Sequence, residues 1–173
     1  MVIKLLILGL LLVLTFIIPN PRNQSSTPAV ESASPTDIPE MKEILGNDQT
    51  IRLQAARKLV ERVDVEQALE ILEHSSLPHT GEGHLAVHQI GFYAYQEYGT
   101  DSILKCKDYF LYACYHGAII EAASNQGFEV ISKMTDKCKQ SPVRYFQCVH
   151  AAGHSILAIW NYDLPEALKT CDQ

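Results

Sequence analysis

Basic residues never gather in this chain of 173 residues: its 14 lysines and arginines form no run, and the formal net charge is −6. Phosphate recognition needs clustered positive charge, so no nucleic-acid partner is expected. Several short motifs are missing as well. There is no His-Glu-x-x-His, no Ser-His-Asp order and no Gly-rich phosphate loop, which removes the usual signals of a metalloprotease, a triad hydrolase or a nucleotide enzyme. There is no Cys-x-x-Cys-His, so covalent c-type haem is excluded. The first 40 residues hold no cysteine to carry a lipid, and no small-x-small cleavage site follows the first apolar run.

That run is what the N-terminus does have. Lys4 precedes a 14-residue apolar run from Leu5 to Ile18, in which Thr15 is the one polar side chain, and the stretch from Val2 reaches the lower limit of a membrane span. Residues 1–18 therefore read as an uncleaved signal anchor, a hydrophobic helix in the membrane, with a cleaved signal peptide as the alternative. The start amine and Lys4 favour a cytoplasmic N-terminus, which puts the rest of the chain outside the cytosol, in a periplasm or at a cell surface. Residues 19–40 hold five of the eight prolines and read as an extended tether. Tyrosine is plentiful beyond it, eight residues in all, as a packed fold requires.

The chain from 41 to 173 repeats itself. His84 lies 22 residues before Cys106, His116 lies 22 before Cys138, and His150 lies 21 before Cys171. A weaker unit precedes them, where "DVEQALEIL" (Asp64–Leu72) parallels "DLPEALKTC" (Asp163–Cys171). A period of about 32–34 residues is the length of a two-helix unit, so the expectation is an all-α fold of tandem helical hairpins, solenoid-like. The units run at about 50–80, 84–112, 114–146 and 148–173. Asp64 with Gln67, and Asp163 with Glu166, have capping-box spacing at a helix start, and Pro165 fits a first turn. First helices begin near each histidine, and Gly99, Gly127 and the Asn161–Asp163 segment end them. Small residues beside the histidines (Gly117, Ala118, Ala151, Ala152, Gly153) allow neighbouring helices to approach closely.

This hairpin length, and the link from one unit to the next, resembles the cysteine-rich branch of tetratricopeptide-like repeat proteins. The resemblance implies a scaffold for a protein or peptide partner and brings no catalytic residues. It also implies that Cys106 pairs with Cys114 and Cys138 with Cys148, each pair joining consecutive units. Outside the cytosol such pairs read as disulfides. The alternative takes Cys114-x-His116 and Cys148-x-His150 as zinc ligands. Cys171 is left over, and by the logic of the repeat its partner lies eight to ten residues further on, in a longer array.

The histidines leave two readings open. His84 and His88 are four apart, as are His150 and His154, so each pair shares one helix face. His116 fills the same first position in the middle unit, where Ile120 replaces the second histidine. Successive first helices lie about 8–10 Å apart, close enough for imidazoles to converge on one ion. Zinc or iron is the cofactor such a site suggests, with Glu121 as a candidate carboxylate. An open position would permit activation of water, as in a hydrolase or an oxygenase. On the other reading the repeat simply duplicates a histidine that packs well and bonds to backbone. The tyrosines fit core and rim packing, while His74 and His79 fall in a polar loop. The function expected is thus a membrane-tethered binding or scaffold module, with a multi-histidine metal protein as the alternative.

Overall fold

The structure, a computed structural model, describes residues 38–171. The apolar run and all but the last three residues of the proline-rich segment lie outside that range. No helix within it is long and apolar enough to cross a membrane. The described residues form an all-α fold of eight α-helices and one 3-10 helix, without a strand.

Short polar side chains start four of the helices. After α1 (Pro39–Ile44), Asp48 accepts the Ile51 amide at 3.0 Å and opens α2 (Gln49–Val63). Asp64, at φ 94°, ends α2 and at once caps α3 (Val65–Glu73) by accepting the Gln67 amide at 2.9 Å. Each such cap satisfies an amide that the helix itself leaves without a partner. α4 (Glu82–Tyr98) follows a loop, and α5 (Tyr109–Gln126) follows the 3-10 helix Gly99–Leu104. Then come α6 (Glu129–Cys138), α7 (Pro142–Ile159) and α8 (Leu164–Cys171), whose cap Asp163 accepts the Glu166 amide at 3.3 Å. The expected ends hold: Gly99 and Gly127 take positive φ, as do Asn161 and Tyr162.

Three boundaries differ from the sequence reading. α5 starts at Tyr109, seven residues ahead of His116. Only six residues separate α4 from Lys105, so the segment ending near Cys106 closes as a 3-10 turn where an α-helix was expected. α7 starts at Pro142, eight residues ahead of His150, because Ser141 caps it and proline suits its first position. His150 therefore sits in mid-helix.

The longer helices pack in succession, α2 on α4, α4 on α5, and α5 on α7. Leu59, Leu69, Leu72, Ile90, Ile119 and Met134 are fully buried between these layers, a continuous apolar core. Buried Arg52 ties the first helices to the rest. Its Nε donates to the Ile44 carbonyl at 2.8 Å, and its Nη1 lies 2.7 Å from Glu82 Oε2 in the first turn of α4. Disulfides join Cys106 to Cys114 and Cys138 to Cys148, with Cα atoms 5.4 Å and 6.5 Å apart. Cys171 is exposed and outside both bridges.

Candidate metal centre

α4 and α5 approach more closely than side chains normally permit, and two glycines allow it. A Cβ added at Gly91 would lie 2.2 Å from the Cys114 carbonyl oxygen; one at Gly117 would lie 2.2 Å from that of His88. Carbon and oxygen cannot share that space, so the two backbones meet only because both positions lack a side chain. The residue before Gly117 is His116, and this contact carries its ring to those of His84 and His88 on α4.

The three rings converge through nitrogen. His84 Nε2 lies 3.0 Å from His88 Nε2 and 3.2 Å from His116 Nδ1, and all three atoms fall within 4.8 Å of one another. Two nitrogens bound to a tetrahedral zinc at the usual 2.0–2.1 Å stand about 3.3 Å apart. The ring centroids repeat the agreement, at 4.7, 5.1 and 5.5 Å, where imidazoles sharing such an ion sit about 5 Å apart.

A strained segment fixes the orientation of His84. Phe110, Leu111 and Tyr112 are all left-handed, with φ of 50°, 54° and 64°, before α5 becomes regular. Left-handed backbone costs a residue with a side chain about 1–2 kcal/mol. Three such residues in a row persist only because their surroundings determine them: Phe110 is buried beneath the His79 ring, and the Cys106–Cys114 bridge encloses the turn. The turn presents the Phe110 carbonyl to His84, whose Nδ1 donates to it at 2.7 Å. A carbonyl can only accept, so Nδ1 keeps the proton and Nε2 faces the other two histidines as a lone pair. Ligating histidines are oriented in this way.

Burial also favours the neutral form of several of these imidazoles. Burial pushes His88 down to about 4, helped by the neighbouring charge of His84. Burial pushes His116 down to about 3, with His88, His84, His154 and His150 adding to the shift. His150 is lowered as well, by burial first and then by His154. A neutral ring with a free lone pair is the form a metal binds.

All five histidines named from the sequence line one cavity of about 590 Å3, together with Tyr112 and Tyr162. His150 and His154, on α7, have ring centroids 4.6 Å apart and lie 6.1 and 5.4 Å from His116. Glu121 stands elsewhere. It lies on α5 beyond the cavity, where its Oε1 accepts a hydrogen bond from Gln96 Nε2 at 2.7 Å. Among the described residues, no carboxylate belongs to the histidine cluster. His74 and His79 are exposed, the latter 3.5 Å from Glu73. The cysteines beside His116 and His150 are in disulfides, so their thiolates are not ligands here. Sequence reasoning missed the Phe110 carbonyl and Gly91. A left-handed turn of Phe, Leu and Tyr has no local signature, and Gly91 reads as an ordinary helix-interior residue. The chain matches no family model, no curated protein and no solved structure.

Proposed function

We propose that this chain is a zinc-binding protein whose ion is held by His84 Nε2, His88 Nε2 and His116 Nδ1. The observation that carries the reading is the approach of these three nitrogens, at 3.0 and 3.2 Å, with the lone pair of His84 fixed by its bond to the Phe110 carbonyl. Zinc is preferred to iron because the donors are imidazoles alone; the open iron sites of oxygenases take two histidines and a carboxylate, and Glu121 is engaged by Gln96. Three neutral ligands leave the charge of the ion undiminished, and the cavity gives it access to solvent. Such an ion acts as a Lewis acid on water, which suits a hydrolase or a hydratase. The setting is an array of helical hairpins, tethered to a membrane by residues 1–18 and exposed outside the cytosol. The two disulfides support that compartment.

A scaffold role has support of its own, since Val143, Phe146 and Val149 on α7 and Leu164 and Leu168 on α8 are exposed. Such a face suits a protein or peptide partner. Metal analysis separates the two readings. Purified full-length protein is expected to retain zinc through dialysis, and His84→Ala and His116→Ala to lose it while helical circular dichroism persists. A metal-free protein whose melting ignores both zinc and chelator would leave the histidines as packing residues and the scaffold as the function.

A further inference from the structure

His116 has two ring nitrogens, and the triad uses one. Its Nε2 is buried and has no hydrogen-bond partner, in a residue only 6 % exposed. If Nδ1 gives its lone pair to an ion beside His84 and His88, Nε2 must carry the ring proton. That proton then points at nothing, and an unsatisfied buried donor costs about 1–3 kcal/mol. Unpartnered groups of this kind are rare enough to need a reason.

The side chains that could use Nε2 are on α7. His150 and His154 stand four apart on α7 and line the same cavity. Together with His116 they form a second triangle of imidazoles, its centroids 4.6, 5.4 and 6.1 Å apart. The first triangle measures 4.7, 5.1 and 5.5 Å. Both bracket the spacing of about 5 Å expected of rings that share one zinc ion. The nitrogens already converge in the first, whereas in the second His116 lies 24° from parallel to each α7 ring and the rings must turn to meet an ion. Neither Tyr112, edge-on to His150 at 5.3 Å, nor Ser155, whose hydroxyl donates to the His116 carbonyl, supplies a competing acceptor for Nε2.

We infer that this chain holds two divalent transition-metal ions, the second bound by His150, His154 and His116 Nε2, with the His116 ring as an imidazolate bridge between them. The inference rests on the zinc reading of the first triad and extends it. The charge balances: the second dication displaces the Nε2 proton, which leaves to solvent, and the bridging ring carries −1 between two ions of +2. The substrate class follows from the pair. Two cations opening on one cavity favour, by their charge, a small anionic substrate such as a phosphate ester or a carboxylate.

The test titrates the metal-free full chain with Cu(II) alone, followed by electron paramagnetic resonance, and with Zn(II) alone, followed by metal analysis after gel filtration. Two equivalents of zinc are expected to be retained. The copper spin count is expected to rise through the first equivalent and fall with the second, because spins joined through an imidazolate pair antiferromagnetically. His154→Ala, at an exposed position, is expected to hold one equivalent and keep an unpaired copper signal; His154→Gln guards against a local packing effect. One retained ion, lost in His84→Ala but kept in His154→Ala, overturns the second position and leaves the zinc reading standing. One ion lost in both variants means a single shared ion and also overturns it. Two ions whose spins add without pairing overturn the bridge. No retained metal overturns both readings.

Discussion

At the scale of single residues, the histidines are poised by burial. The neutral form of His116 persists in the fold down to about pH 3 and that of His88 to about 4, whereas in an unfolded chain both protonate near 6.5. Below about 6.5 the unfolded state therefore binds more protons than the folded one, and stability falls as the pH is lowered. With chelator present to keep metal away, the melting temperature is expected to be level above pH 7. It should then decline from about 6.5 toward 4, as desolvated imidazoles resist the proton that the unfolded chain accepts. His88→Gln and His116→Gln together should flatten that decline. Scanning calorimetry across the pH series checks both statements, and an unchanged slope in the double variant would falsify the assignment.

At the scale of elements, the centre depends on one close helix contact. Gly117 meets the His88 backbone, so Gly117→Ala must push α5 away from α4 or bend one of them. Overpacking of this kind costs about 1–3 kcal/mol. It also moves His116 relative to His84 and His88, whose nitrogens now lie 3.2 Å or less from their neighbours. Gly117→Ala is expected to unfold at lower urea and to lose zinc affinity by more than tenfold. Gly153→Ala serves as the control, because a Cβ there meets nothing within 4 Å. Equal zinc affinity in the two variants would show that the contact does not position the ligands.

At the scale of the whole molecule, the two disulfides have similar weight in stability and different weight in function. Each closes a short loop and stabilises the fold by about 2–3 kcal/mol on the chain-entropy view. Only the Cys106–Cys114 bridge encloses the left-handed turn that delivers the Phe110 carbonyl to His84. Replacing both its cysteines by serine is expected to lower the urea midpoint and to weaken zinc binding by about 10–100-fold, the usual effect of losing a group that orients a ligand. Replacing Cys138 and Cys148 should lower the midpoint comparably and leave zinc binding within a few-fold of the original. Parallel urea and zinc titrations of the two variants decide it, and equal losses of affinity would mean that the turn does not act on His84.

The sequence by itself determined what is local. Asp64 and Asp163 cap the helices that follow them because a short acidic side chain reaches an amide three residues on, and Gly99 and Gly127 end helices because they turn with positive φ. Four-residue spacing placed His84 with His88, and His150 with His154, on common helix faces. Tertiary structure decided everything that needs two helices at once. It fixed how near α4 comes to α5 at Gly91 and Gly117, which nitrogen of each imidazole faces the cluster, and where the Phe110 carbonyl points. Glu121 shows the limit from the other side: it is on the right helix, one turn past His116, yet Gln96 on α4 engages it. Spacing along a chain sets the face a side chain occupies. The packing of one helix against another sets what it meets there, because sub-ångström differences in backbone approach are decided by side chains far apart in sequence.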